Sequence, residues 1–375
     1  MTKRRTAPVK VLMTADTVGG VWTYALDLAR ALGDEGVSVA LATMGGLPSV
    51  DQRREAEGIG TLELYESEYR LPWMEQPWDD VRAAGAWLQE LAARVAPDIV
   101  HVNEPVLAAL DWTVPVVAVA HSCVLSWWQS VWNVPAPASW SRYRDEMARG
   151  LSHAEAVVAP SGWMLQQLRR YYGVEGHQVI PNGRDPGRSE PETKGPVVFA
   201  AGRVWDPAKN LLALDQVADG LTWPVYVAGD PRHPDETEAL KAHHLHLLGK
   251  LSSSEVAAWL GQASIYAFPA RYEPFGLSVL EAALAGCALV LGDLPTLREQ
   301  WDGRAVFVPQ DEPAMLRLAI ESLIENPDLR YALSMRARRH ALSLSPRRMA
   351  LGYLTLYSQL LQSRTVDGEV AACAS

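Results

Sequence analysis

Short runs made almost wholly of Val, Ile, Leu and Ala recur along this chain, separated by longer stretches with apolar residues every three to four positions. Strands of that composition have no polar face. They are buried on both sides, which a parallel sheet covered by helices provides. Strands are expected at Val9–Thr14, Val37–Thr43, Asp98–Val102, Pro115–Ala120, Glu155–Ala159 and Gln178–Ile180, with helices over Val21–Leu32, Asp79–Val95 and Gly162–Tyr172. From 182 to 196, Pro, Gly and charge replace any apolar period, which marks a linker. The alternation then resumes with strands Val197–Ala201, Val225–Ala228, Leu245–Leu248, Ser264–Pro269, Ala288–Leu291 and Ala305–Val308. Helices are expected at Ala208–Val217, Ser252–Gly261, between Gly276 and Gly286, and at Glu312–Glu325, Leu329–Leu342 and Pro346–Leu361, with a frayed tail from Thr365. The 375 residues suit two domains of roughly 150 each. They divide as 1–181, linker 182–196, 197–345 and a C-terminal helix with tail over 346–375, and two such domains predict a cleft between them.

Charge narrows the partners. Thirty-four basic residues stand against 44 acidic ones, a net −10, and neither half is basic. Nucleic acid is therefore not an expected partner. Lys3, Arg4 and Arg5 form either a solvated tail or a weak peripheral contact with anionic lipid at the inner face of a membrane. The three cysteines (Cys123, Cys287, Cys373) have no metal-like spacing and fit a reducing compartment. No run of 18 apolar residues is present, and Val9–Ala15 is too short for a signal segment, so the expected location is the cytoplasm.

The run from Ala270 to Ala282 carries the most chemistry. It puts Glu273 at the end of a strand and Glu281 eight positions later in the following helix. Ligands of open α/β sheets bind outside the carboxyl ends of strands. The backbone N–H groups of Phe275, Gly276 and Leu277 open the helix, where free N–H groups favour an anion. At helical rise, eight residues separate the carboxylates by roughly 10–12 Å. A diphosphate with a hydroxyl-rich ring at each end fits that span, which is the outline of a nucleotide sugar. Two surface glutamates on a helix remain the plain alternative.

Three further turns follow strands. Asp16-Thr17-Val18-Gly19-Gly20 lets the backbone approach a phosphate or sugar, although a simple tight turn explains Gly19 and Gly20 equally. The set lacks the third glycine of a dinucleotide fingerprint, and no Walker-type loop occurs. His121 ends the strand Pro115–Ala120 and either donates into the cleft or is structural, as does His101 on its own strand. Gly202-Arg203 through Lys209-Asn210 offers a guanidinium and an ammonium to clamp a pyrophosphate, or else forms a solvated turn. Ten of the 14 Trp lie in 1–180; Trp127, Trp128, Trp132 and Trp140 cluster in an expected loop after His121, as an acceptor wall or as core. Asp16 and Glu104 are candidate contacts to an acceptor hydroxyl.

In order, these elements resemble the retaining glycosyltransferases of family 4, which have the GT-B fold. The resemblance covers nearly the whole chain: Gly19-Gly20, His121, Val179-Ile180-Pro181-Asn182-Gly183, Gly202-Arg203, Lys209-Asn210, Gly229-Asp230 and Glu273-Pro274-Phe275-Gly276-Leu277 through Glu281-Ala282. It implies an α/β fold of two Rossmann-like domains facing across a deep cleft, with the C-terminal helix crossing back to the N-domain. By the same resemblance Arg203 and Lys209 hold the donor diphosphate, and Glu273 with the Phe275–Leu277 backbone meets the donor sugar. Glu281 binds the ribose, His121 lies near the reacting carbon, and Gly19 and Gly20 admit the donor. Pro269-Ala270 replaces the usual Pro-Ser, and Val21-Trp22 replaces Ala-Glu, so the acceptor edge belongs to this chain. The implied catalytic set is His121, Arg203, Lys209 and Glu273. The implied activity is retaining transfer of a hexose from a nucleotide-diphosphate sugar, by default a UDP-sugar, to a saccharide or glycolipid hydroxyl. The leaving phosphate takes the acceptor's proton, and no metal or other cofactor is called for. A nucleotide-sugar epimerase and a non-catalytic nucleotide-sugar-binding protein are the competing readings.

Overall fold

A computed structural model describes residues 8–174, 178–185, 194–232 and 241–373, excepting the side chains of 365–373. Lys3, Arg4 and Arg5, the stretch 186–193 of the expected linker and the last two residues lie outside the described residues. The first half runs β1 (Lys10–Asp16), α1 (Gly20–Asp34), β2 (Ser38–Met44), α2 (Val50–Glu57), β3 (Leu62–Tyr65), α3 (Trp78–Val95), β4 (Ile99–Val102), β5 (Val116–Val119), α4 (Val124–Trp132), α5 (Ser141–His153), β6 (Ala156–Ala159), α6 (Gly162–Tyr172) and β7 (Gln178–Val179). It continues with β8 (Gly195–Ala201), α7 (Leu212–Ala218), β9 (Val225–Ala228), β10 (His246–Gly249), α8 (Ser253–Gln262), β11 (Ala263–Phe268), α9 (Leu277–Leu284), β12 (Ala288–Gly292), α10 (Pro295–Trp301) and β13 (Val306–Val308). Helices α11 (Pro313–Glu325), α12 (Pro327–Ala341) and α13 (Pro346–Cys373) follow.

The chain divides into two compact units: 1–125, 136–183 and 346–375 in the first, and 126–135 with 184–345 in the second. Two segments lie apart in sequence from the rest of their unit. Residues 126–135 group with the second unit and the C-terminal helix with the first. The first unit holds a parallel sheet ordered β3-β2-β1-β4-β5-β6-β7 and the second one ordered β10-β9-β8-β11-β12-β13. The strand order reverses between β1 and β4 and again between β8 and β11, the positions where open α/β sheets bind ligands. Strands β4, β5, β11 and β12 are buried along their whole length, as their unbroken aliphatic character requires.

Where expectation and structure differ, local chemistry gives the reason. The Trp-rich segment is helix α4, not a loop. Helix α7 starts at Leu212 rather than Ala208, because Asp206 accepts from the Ala208 N–H and Asn210 sits in the left-handed region at φ 50°. Helix α2 was not expected, yet Ser49 and Gln52 close a capping box at its start. Helix α13 continues through the expected frayed tail to Cys373. It contacts α1 within the first unit, and a buried relay fixes it there. Tyr357 Oη lies 2.5 Å from His101 Nδ1, His101 Nε2 lies 3.2 Å from Tyr24 Oη, and Tyr24 donates to Tyr353 Oη at 2.7 Å. Because Tyr24 spends its proton on Tyr353, His101 donates from Nε2 and accepts Tyr357's proton at Nδ1. His101 is thus a fully buried structural residue. Among the described residues no helix is long and apolar enough to cross a membrane.

Candidate functional site

The second unit assembles its site at the β8/β11 reversal. The turn after β8 is held by Asp206, itself 3% exposed, which accepts from the Ala208 N–H at 2.9 Å and from Arg203 Nη2 at 2.8 Å. Asn210 donates from Nδ2 to the Pro269 and Gln310 carbonyls, and the Arg271 N–H donates to Ala208 O at 2.8 Å. These bonds stitch the β8 loop to the β11 loop and set Lys209 Nζ 2.7 Å from Glu273 Oε2. Gly229 completes the edge at φ 142°, where a Cβ would stand 1.7 Å from Gly202 O.

Glu273 is not in the helix. It lies before the left-handed Gly276 (φ 92°), and its Oε1 accepts from the Gly276 N–H at 2.9 Å and the Phe275 N–H at 3.4 Å. Two corrections follow. Of the three N–H groups expected to be free for an anion, those of Phe275 and Gly276 are occupied by the chain's own carboxylate. The estimate of carboxylate spacing from helical rise also does not apply, since α9 begins four residues after Glu273. Phe275 is a core side chain, 4% exposed, so only its backbone faces the loop. Leu277 packs against the same core. Glu281, in the second turn of α9, accepts from Arg184 Nε at 2.8 Å, a partner the sequence gives no sign of. Each charged group expected here therefore already holds an opposite charge.

In the first unit the candidates gather at the β1/β4 reversal and the adjoining β5. Asp16 Oδ1 accepts from the Val18 and Gly19 N–H groups at 2.9 and 2.8 Å, so this carboxylate shapes the Gly-Gly turn. Gly19 has extended backbone at φ −140° and Gly20 starts α1, both exposed, which leaves bare backbone at the helix start. Trp22 points away: it is buried and donates to Glu55 Oε2 at 3.1 Å. Asn103 donates from Nδ2 to Thr14 O and accepts at Oδ1 from His121 Nε2 at 2.8 Å. That fixes the His121 tautomer and turns a bare Nδ1 acceptor the other way. Burial drives the His121 imidazole down to about 3, so it is neutral, and the Tyr24 ring packs against it at 4.4 Å. Glu104, half-buried after β4, is pushed up to about 8 by burial and then by the nearby Asp16 charge.

The tryptophans of α4 pack on one another, Trp127 against Trp128 at 5.7 Å and against Trp132 at 6.4 Å, and Trp132 is half exposed. Ser126 at the start of that segment bonds Tyr272 in the β11 loop, oxygen to oxygen at 3.0 Å. The segment thus belongs with the second unit rather than with His121. Trp140 remains in the first, edge-on to Tyr143 at 5.6 Å.

Two family models match successive parts of the chain: Glycosyltransferase Family 4 over residues 18–188, and Glycosyl transferases group 1 over residues 195–326. The chain belongs to glycosyltransferase family 4. This family 4 enzyme is 23% identical to a D-inositol 3-phosphate glycosyltransferase of Corynebacterium glutamicum, over 98% of each chain. Its fold is similar to that of sucrose-phosphate synthase from Thermosynechococcus elongatus, with a TM-score of 0.79 at 16% identity over 95% of this chain and 100% of that one. Anabaena HepE, solved in complex with UDP-glucose, matches with a TM-score of 0.72 at 17% identity, over 94% of this chain and 100% of HepE. These are GT-B glycosyltransferase folds, and the two Rossmann-like units of this enzyme are of that type.

Proposed function

We propose that this glycosyltransferase moves a hexose from a nucleotide-diphosphate sugar, a UDP-sugar by default, to a hydroxyl of a saccharide or glycolipid with retention of configuration. The observation that carries this reading is the convergence of Lys209, Arg203 and Glu273 at one strand-order reversal, with Glu281 on the next helix. The ammonium of Lys209 has three donors and keeps Glu273 while taking a phosphate oxygen. Arg203, 39% exposed, swings from Asp206 onto the diphosphate with little loss. Two cations beside the departing diphosphate stabilise the charge that develops there. A resident metal is not part of the reading.

The glycosidic carbon–oxygen bond to the diphosphate breaks as the acceptor oxygen bonds to the same face of that carbon. The acceptor's proton passes to the leaving phosphate oxygen. Glu273 reads the sugar hydroxyls, Glu281 the ribose, and the exposed Gly19-Gly20 backbone leaves room for the donor. Neutral His121 accepts from a sugar hydroxyl at Nδ1. Protonated Glu104 donates to the acceptor, while Asp16 and the α4 tryptophans supply the acceptor's remaining contacts.

Nucleotide sugars incubated with and without a panel of saccharide acceptors test the reading. Acceptor-dependent release of nucleoside diphosphate with a product of unchanged anomeric configuration is expected. An epimerised nucleotide sugar with no diphosphate release identifies an epimerase instead, and binding without turnover of any acceptor identifies a binding protein.

A further inference from the structure

A cavity of about 510 Å³ opens in the first unit, lined by Leu47 after β2, by Glu66, Glu68 and Tyr69 after β3, and by Asp80 and Trp87 of α3. That volume suits a small ligand. Strands β1, β2 and β3 run parallel, so the loops after β2 and β3 share the sheet edge that carries the Asp16–Gly20 turn. Hydrogen bonds tie these loops together. Thr17 Oγ1 donates to Gly46 O at 3.0 Å, Gln52 Nε2 donates to Thr17 O at 3.0 Å, and the Gly45 N–H donates to Tyr69 O at 2.8 Å. The loop after β2 is thus bonded both to the turn that holds Asp16 and to the cavity wall.

The lining offers aromatic faces, donors and acceptors together. The partly exposed Tyr69 and Trp87 rings stand with centroids 5.9 Å apart and planes at 53°, which makes two walls at an angle. Among the described residues neither Tyr69 Oη nor Trp87 Nε1 has a hydrogen-bond partner, so two donors are left for a ligand. Arg53 grips Glu66, Nε to Oε1 at 2.7 Å and Nη2 to Oε2 at 2.8 Å, and these bonds hold its carboxyl below the ordinary value. Asp80 Oδ2 accepts from the Arg70 N–H at 3.0 Å and lies 4.0 Å from Arg70 Nε. Glu68 has neither an ion pair nor a hydrogen bond among the described residues, so its charge is uncompensated. A pyranose presents apolar C–H faces rimmed by hydroxyls that both donate and accept. The angled rings take such faces, and the two donors with the Glu68 carboxylate take the rim. A ring bearing its own carboxylate meets the Glu68 charge and is disfavoured.

We propose that this cavity is a subsite for a neutral saccharide, holding a ring of the acceptor beyond the one that reacts. This rests on the reading of the chain as a transferase to a saccharide acceptor. It assigns part of acceptor recognition to Leu47, Glu68, Tyr69 and Trp87, residues other than Asp16, Glu104 and the α4 tryptophans.

NMR titration of the tryptophan indole N–H signals tests the assignment on wild type, Tyr69→Phe and Glu68→Gln, with the Trp87 signal identified by its loss in Trp87→Phe. The probes are maltotriose, cellotriose and tri-N-acetylchitotriose, with trigalacturonic acid as the anionic counterpart. At least one neutral trisaccharide is expected to move the Trp87 signal saturably, and trigalacturonic acid to bind at least tenfold more weakly. Tyr69→Phe, which keeps the ring and loses the hydroxyl, weakens the neutral saccharide at least threefold. Glu68→Gln narrows the gap between neutral and anionic probes to below threefold. Melting temperatures confirm that both variants are folded. A Trp87 signal that no neutral saccharide moves overturns the subsite, as does an affinity untouched by Tyr69→Phe or an anion bound as tightly as the neutral probes. Acceptor-dependent release of nucleoside diphosphate with an unmoved Trp87 signal rejects the subsite alone. A moved signal without such release from any acceptor rejects transfer and leaves a saccharide-binding cavity.

Discussion

Glu104 follows β4 with its side chain half-buried and Asp16 close enough for the two charges to repel. Burial first and that repulsion second raise its carboxyl to about 8, so the folded chain keeps a proton there at neutral pH. The unfolded chain releases the same proton at the usual carboxylate value of about 4.3. Below that pH both states are protonated and the site costs nothing. As pH rises toward 8 only the unfolded state ionises, so stability is lost across this window and the loss levels off above it. Each pH unit corresponds to about 1.4 kcal/mol, which sums to roughly 3–4 kcal/mol by pH 7. Solvent access to a half-buried group lowers this to ~1–3 kcal/mol. Glu104→Gln removes the titration. Thermal melts at pH 5 and pH 7.5 should show the variant gaining on wild type at the higher pH, by roughly 2–4 °C per kcal/mol for a unit of this size. The same difference at both pH values would refute a buried, protonated Glu104.

Three other perturbations follow from the geometry. Lys209→Ala and Glu273→Ala each lower turnover at least tenfold with an unchanged circular dichroism spectrum; normal turnover in both removes the site assignment. The His121 imidazole stays neutral because burial holds it near 3, so its NMR shifts should be flat from pH 8 to 5. The folded state refuses a proton that unfolded histidine takes near 6.5, so stability present above that value declines as pH falls below it, and a titration midpoint near 6.5 contradicts this. Tyr357→Phe takes away the donor to His101 Nδ1 and leaves a buried acceptor unsatisfied, at a cost of roughly 1–3 kcal/mol, read as a lower melting temperature.

The fold was legible because it is written in local chemistry. Buried parallel strands announce themselves as aliphatic runs, and α6 and β9 fall at the expected residues, Gly162–Tyr172 and Val225–Ala228. What escaped the sequence has identifiable causes. Helix α4 (VLSWWQSVW) is apolar on nearly every side and is followed by Pro135 and Pro137, so its helical period is hidden. Helix α5 is polar over most of its length and buries only Tyr143, Met147, Gly150 and Leu151. The candidate residues were visible as types at strand ends, but their pairings were not. Lys209 meets Glu273 across 64 positions and Arg184 meets Glu281 across 97, and such distant contacts leave no periodic trace. Glu273 reads as the end of a strand with free N–H groups after it, with its spacing to Glu281 taken from helical rise. The left-handed Gly276 and the two N–H groups that Glu273 accepts make it the cap of its own loop instead.

In the proposed reaction Arg203 and Lys209 provide the charge that receives a nucleoside diphosphate in the second unit. Calorimetric titration of UDP, GDP and ADP into wild type and the Arg203→Ala/Lys209→Ala double variant tests it most directly. One diphosphate is expected to bind the wild type and to bind the double variant at least tenfold more weakly, with Glu104→Gln unaffected. Equal affinity in the wild type and the double variant would contradict it.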